Sequence, residues 1–342
     1  MNPVLPVGKL PHALLEKIIR SAPTSGPRVL LGPGVGLDCA VLEFGETCLV
    51  LKTEPITFAS DEIGWYAVQI AANDIATTGA RPSWAMFTVL LPEGKTTEES
   101  VMALSGQLTD ACRAAGITLV GGHTEITHGL DRLIIVTTML GEILREKLVT
   151  PDKAQSGDFL ILTKGVPIEA TALLAREFPS VLQDHLTAEE IKTAQNYLFE
   201  PGISVLKDAQ IAVQTGGVTA MHDPTEGGVA TALWEMAQAC QLTFRVDPRQ
   251  IFIPPLSVRI CEIFGLDPLG TIASGALLLT VKPDSKGAVL SALNAAGIAA
   301  AEIGVVAEGA AEVLVSRKGE IHPFPRFDRD EIGRVYQQFE PG

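Results

Sequence analysis

The sequence predicts a two-domain protein of mixed α/β (α+β) class, and three observations carry that expectation. The chain has 342 residues, enough for two separate hydrophobic cores. Apolar strand-like runs alternate with helical patterns in both halves. Between the halves lies a polar, turn-rich stretch, LREKLVTPDKAQSGD (144–158), carrying Pro151 and Gly157, a composition typical of a domain boundary. The expected domains are therefore 1–150 and 151–342.

Taken in order, TCLVLKT (47–53), SWAMFTVLL (83–91), ITLVGG (117–122) and RLIIVTTMLGEI (132–143) read as strands. Helical periodicity fills about 61–79 and 97–115, with Gly116 stopping the second helix. The second half opens with the strand FLILTKG (159–165). Helices are expected over 167–178, 187–199, 202–213 and 227–240, with a strand at ALLLTV (276–281). A helix over 284–296 and strands near 301–307 and 312–316 follow. The tail FDRDEIGRVYQQFEPG reads as one polar terminal helix.

Composition removes several function classes. The formal net charge is −14 and no Lys/Arg stripe interrupts it, which argues against nucleic-acid binding. No run reaches the roughly 18 apolar residues of a membrane span, and the N-terminal residues lack a signal-peptide pattern. The expectation is a cytoplasmic protein. The five cysteines, Cys39, Cys48, Cys112, Cys240 and Cys261, form no CxxC pair and read as reduced, mostly buried thiols. The histidines show no zinc spacing.

Five stretches can carry chemistry. In LGPGVGLDCAVL, Gly32, Gly34 and Gly36 permit close backbone approach, and Asp38 stands just before an apolar strand. In LKTEPITFA an apolar strand ends in Lys52, Thr53 and Glu54, after which Pro55 is expected to break the ladder. In DEIGWYAVQIAANDIATTGARP, Ile63, Ala67, Ile70, Asp74 and Thr78 share one helical stripe. A carboxylate on such a seam needs a metal, a cationic partner or several donors. In LVGGHTEIT a short strand runs through two glycines into His123, Thr124 and Glu125. In MHDPTEGGVATAL, Gly227 and Gly228 open a helix whose bare amides would suit an anion, with Asp223 alongside. Each stretch also has a plain structural reading: a turn, a solvated strand end, a hydrogen-bonded Asp, or tight packing of a helix start. Collected, the acids Asp38, Glu54, Asp74, Glu125 and Asp223 offer hard oxygens suited to Mg²⁺ and its bridging to phosphates. Phosphoryl transfer from ATP is the reaction class they favour.

The ordered set GPGVGLDCAVL, LKTEPITFA, AANDIATTGARP, VGGHTEIT, SGDFLILTKG and MHDPTEGGVATAL, spanning about 28–316, resembles the aminoimidazole-ribonucleotide (AIR) synthase-related superfamily, in particular its hydrogenase-maturation members. The resemblance implies an AIR-synthase-like two-domain fold. Its N-terminal domain binds ATP and Mg²⁺ and pairs strands with a second subunit in a barrel-like homodimer core, and an α/β domain follows. It implies Asp38, Glu54, Asp74 and Glu125 as metal ligands, with Asp74 and Glu125 catalytic. It implies Gly34, Gly36, Asn73, Thr124, Asp223, Thr225, Gly227 and Gly228 as nucleotide-site residues. Leu37 stands where relatives often carry a second Asp, Glu54 where Asp is usual, and His123 at a commonly acidic position. The maturation members finish in a Pro-Arg-Ile-Cys tail that carries the reacting group, whereas this sequence ends QQFEPG. The expected acceptor is therefore a small molecule or a group borne by another protein. The alternative is a nucleotide-binding maturation partner or scaffold without turnover.

Overall fold

The computed structural model describes Leu5 and residues 10–34, 36–317, 320–327 and 329–339. Two compact units result: one holds Pro27–Leu31 and Asp38–Leu148, the other the described residues up to Gly26, Gly32–Leu37 and the chain from Val149 onward. A single cut after residue 150 does not capture the return of Gly32–Leu37 to the second unit. Gly36 explains that return. Its φ is +73°, and a Cβ there would stand 2.6 Å from the Glu235 carbonyl oxygen, so the loop lies directly on a helix of that unit.

In chain order, α1 (His12–Ser21) precedes the strands β1 (Val29–Leu31), β2 (Ala40–Phe44) and β3 (Thr47–Ile56). Then come α2 (Ile63–Thr77), β4 (Arg81–Pro92), α3 (Glu98–Ala115), β5 (Thr118–Thr127) and β6 (Ile134–Leu144). The strands of this unit form one sheet in the order β1-β2-β3-β6-β4-β5, antiparallel except for the β4–β5 pair. Period-two burial fixes which face is covered: Cys48, Val50 and Ile56 on β3, Phe87 and Val89 on β4, and Ile135 and Met139 on β6 are buried. Helix α2 is mainly apolar and is buried along almost its whole length, Gln69, Asn73, Asp74 and Thr77 included, as a helix between a sheet and a second helix must be. It meets α3 closely, for a Cβ on Gly64 would stand 2.7 Å from the Gln107 Cβ, and the Gly64 amide donates to Gln107 Oε1 at 3.0 Å. The opposite sheet face carries Leu49, Leu51, Leu90, Val136 and Leu140, all only half-buried.

Two local expectations change. β3 runs through Pro55 to Ile56, because there it pairs with β6 alone; β2 stops opposite Leu51, so the missing Pro55 N–H costs no ladder bond. β5 continues through His123, Thr124 and Glu125 to Thr127 instead of turning, held by parallel pairing with β4 as far as Pro92.

The second unit contains β7 (Phe159–Thr163), α4 (Ile168–Glu177), α5 (Pro179–Leu182), α6 (Ala188–Asn196), α7 (Leu206–Thr215), β8 (Val218–His222), α8 (Gly228–Cys240) and β9 (Thr243–Val246). It continues with α9 (Pro255–Phe264), β10 (Leu278–Val281), α10 (Lys286–Ala295), β11 (Ala300–Ala307), β12 (Glu312–Arg317), β13 (Glu320–Pro323) and α11 (Val335–Gln338). Its seven strands order as β13-β12-β9-β11-β7-β10-β8. Every residue of β10 is buried, the mark of a strand covered on both faces. One core joins Leu160, Leu162, Leu278 and Phe244 of the sheet to Val229, Leu233 and Met236 of α8. The expected single polar terminal helix is a 3₁₀ turn over Glu331–Arg334 followed by the short α11. Asp330 Oδ1 accepts from the Ile332 amide at 2.7 Å and starts that turn late. Among the described residues no helix is long and apolar enough to cross a membrane.

The α2–β6 contact allows a stability test. A Cβ on Gly141 of β6 would press on the Ile75 side chain and stand 2.7 Å from the Arg81 carbonyl oxygen. Gly141→Ala should cost about 1–3 kcal/mol through overpacking and lower the thermal midpoint by several degrees. Circular dichroism melting checks it, and an unchanged midpoint would show that α2 has room to move.

Candidate functional site

In the first unit the site grows from the inner face of β3. Alternation along the strand puts Cys48, Val50, Lys52, Glu54 and Ile56 on the side that α2 covers. Two charged residues thus interrupt an apolar face, and Asp74 of α2 lies against them. Lys52 Nζ is 3.1 Å from Glu54 Oε2 and 3.1 Å from Asp74 Oδ2. The Asp74 side chain is only 3% exposed, that of Lys52 18%. Burial works against the lysine charge, but the negative charges of Asp74, Glu54 and Asp38 outweigh it, so its pKa stands well above the ordinary lysine value. The two carboxylates expected to hold Mg²⁺ instead share a lysine ammonium. Asn73, next to Asp74, is fully buried.

Glu125 and Thr124 do not join this group within the unit. Register across the sheet runs Glu54, Thr137, Phe87, Gly122, three strand spacings or roughly 14 Å at about 4.8 Å each. Glu125 lies further along β5, exposed, with its Oε2 3.0 Å from His123 Nε2. Thr124 and His123 instead border a mainly apolar cavity of about 590 Å³ between α3 and the β4–β5 pair.

In the second unit Gly36, His222 and Asp223 are brought together through α8. Gly36 sits on the Glu235 backbone, and Glu235 Oε2 is 2.9 Å from His222 Nε2. His222 and Asp223 are both buried. Gly34 is constrained less, since its imagined Cβ would meet only the end of the Leu37 side chain. Thr225 accepts from the Gly228 amide through its carbonyl at 2.9 Å.

The start of α8 is not bare. The Gly227 amide donates to Asp330 Oδ2 at 2.6 Å, and the Ala230 amide to the Leu269 carbonyl at 3.0 Å. Gly228 has a packing reason as well: with φ +62°, a Cβ there would stand 2.5 Å from the Leu269 carbonyl oxygen and 2.8 Å from that of Thr271. The glycine pair therefore lets the 269–271 loop close on the helix start, and the chain's own Asp330 supplies the anion.

Two charged residues absent from the sequence reading lie in this unit. Lys164, at the end of β7 with φ +57°, donates to the Ser204 carbonyl at 2.6 Å and lies 3.2 Å from Asp208 Oδ2. Burial lowers its pKa, against the raising effect of Asp208. Glu169, at the start of α4, is 2% exposed and accepts from the Ser274 amide at 3.1 Å. Burial raises its pKa from 4.5 to about 8, helped by the negative charges of Asp330 and Glu226 and opposed by Ser274. The polarity breaks in LTKG and VPIEATALL, a charge entering an apolar run, were the available sequence signal.

Comparison with known proteins now places the chain. Residues 36–143 match the family described as AIR synthase related protein, N-terminal domain, and residues 155–316 its C-terminal domain. The chain belongs to the AIR synthase related family. Within that family it is 30% identical over 262 residues to the carbamoyl dehydratase HypE of Bradyrhizobium diazoefficiens, covering 73% of this chain and 70% of that protein. The solved HypE–HypF complex aligns with a TM-score of 0.74 at 21% identity, over 92% of this chain and 100% of that one. HypE solved in complex with ATP aligns at 0.69 and 24% identity, over 85% and 88%. Likeness at these identities shows a shared fold.

Glu169 gives a pH test. An acid whose folded pKa lies above its unfolded one favours the protonated folded state. Its contribution is full below about pH 4.5 and is lost as pH rises through about 8. Glu169→Gln keeps an acceptor for the Ser274 amide and has no proton to lose. Urea denaturation of the parent should therefore show a steeper loss of stability between those limits than the variant. Parallel pH profiles for the two proteins would contradict a neutral Glu169.

Proposed function

We propose that this protein is an ATP- and Mg²⁺-dependent enzyme of the AIR synthase and HypE type. It phosphorylates an oxygen of an acceptor that is a small molecule or a group borne by another protein. The observation that carries the reading is the Lys52–Glu54–Asp74 set, closed on the buried Asp74, in the unit that matches the family's N-terminal domain. Phosphoryl transfer asks a protein mainly for fixed positive charge and positioning, with little covalent chemistry of its own. A HypE structure holding ATP supports the nucleotide half of the reading.

In this reading Asp74 fixes the Lys52 ammonium, Asn73 and Thr124 are nucleotide-site residues of the first unit, and Gly34, Gly36, Asp223 and Thr225 are nucleotide-site residues of the second. At Gly227 and Gly228 a phosphate group takes the place that Asp330 holds at the Gly227 amide. Mg²⁺ needs hard oxygens near 2.0–2.1 Å and keeps several waters. Glu54 and Asp74 do not fit it while they share an ammonium, which leaves Asp38 as the carboxylate of the same subunit to hold it; Glu125, three strands away, would have to come from the second subunit of the homodimer proposed below. When bound, the ion neutralises phosphate charge. Glu125 serves as the second catalytic acid.

Asp74→Asn should lower ATP turnover, followed by phosphate release with candidate acceptors, by about 100-fold or more. The folded state, checked by circular dichroism and gel filtration, should persist. Turnover equal to the parent's would refute the assignment.

A second reading, a nucleotide-binding maturation partner without turnover, draws on the same lysine standing where a divalent ion was expected. The HypE–HypF complex supports a role with a protein partner. Calorimetric ATP binding with no phosphate release across an acceptor panel would favour it over the enzyme.

We also propose a homodimer built on the half-buried face of the six-stranded sheet and the edge strand β5, closing a barrel-like core. Leu119, Val120 and Ile126 of β5 are 54–60% exposed, an unprotected apolar edge that a lone subunit rarely tolerates. Light scattering should report a dimer for the parent and a monomer for Ile126→Lys. A dimeric variant would move the interface elsewhere.

A further inference from the structure

The Glu54–Asp74 pair raises a question of charge that the family resemblance does not answer. Two carboxylate oxygens meet at one point beneath α2, each 3.1 Å from Lys52 Nζ. That separation is an ammonium hydrogen-bonding distance. Magnesium at the same point needs oxygens about 1 Å nearer and room for waters. One point cannot hold both cations.

The lysine is also not placed to step aside. β3 is paired with β6 along Thr47–Ile56, with Lys52 opposite Met139, so its backbone is fixed. The side chain is largely buried, and withdrawing it would leave Asp74 a buried charge until another cation reached it. The period of the strand makes the placement obligatory: Lys52 and Glu54 share the face that Cys48, Val50 and Ile56 bury.

We infer that the Lys52 ammonium is a built-in substitute for a divalent cation at Glu54 and Asp74, and that this pair binds no metal. An ammonium has three donors, and the two carboxylates take two of them. The third serves a phosphate oxygen of the nucleotide. This last step rests on the ATP chemistry proposed above, whereas the metal statement does not.

Mn²⁺, added without nucleotide and counted by electron paramagnetic resonance, tests the metal statement. The parent, Asp74→Asn and Glu54→Gln should bind the same number of ions. Lys52→Met should bind one more, and the extra ion should vanish in Lys52→Met/Asp74→Asn. Loss of an ion in Asp74→Asn or Glu54→Gln overturns the inference, as does a folded Lys52→Met with the parent's count. If Lys52→Met does not fold, the carboxylate variants still decide. For the phosphate contact, ATP titrated in the presence of EDTA should bind Lys52→Met about 10-fold or more weakly than the parent; equal affinity removes that contact. A parent that binds no ATP would sink the proposed function and leave the ion count standing.

Discussion

The first unit is organised around the neutralisation of one buried charge. Asp74 is almost without solvent contact, and an ionised carboxylate in that position needs a counter-charge within hydrogen-bonding reach. Lys52 supplies it from the neighbouring strand. The pairing sets the rotation of α2, since only one stripe of the helix can face β3 with Asp74 over Lys52. It also sets the register of β3, because a slip by one residue would turn both charges to the other face. The close approach of α2 to Gly141 and of Gly64 to α3 then follows from geometry already fixed.

The second unit solves the opposite problem, a helix start rich in donors. Alpha-helical N-termini leave unsatisfied amides, and α8 opens on two glycines with no side chain to serve them. The fold brings acceptors from far along the chain, the Leu269 carbonyl and the Asp330 carboxylate. The same loop reaches α4, where the Ser274 amide meets Glu169. Three acids, Glu169, Glu226 and Asp330, thereby act on one another electrostatically, and the one most deeply buried keeps its proton.

Much of this was legible in the sequence. The stripe from Ile63 to Thr78 located α2 and put Asp74 on its inner seam, and Gly116 ended α3 as expected. The two AIR synthase domains were legible from motif order. Lys52 stands in LKTEPITFA, but Pro55 masks the continuation of β3 to Ile56, and with it the alternation that puts Lys52 on the inner face. Pro55 misled because its cost depends on whether a second neighbour strand exists, which is tertiary information. The acceptor of the Gly227 amide is hidden for the same reason: Asp330 lies about a hundred positions away, and no local pattern announces it. Glu169 is silent in a linear reading because its burial depends on the loop around Ser274 that covers it.

The neutral Glu169 alters the acid–base balance of folding itself. The formal charge of −14 counts every glutamate as ionised, yet with its pKa near 8 Glu169 is mostly protonated at neutral pH. An unfolded chain at that pH leaves the same group ionised. Folding therefore takes up close to one proton from solvent at this residue, and the heat of folding measured in buffers of different ionisation enthalpy carries that proton's signature.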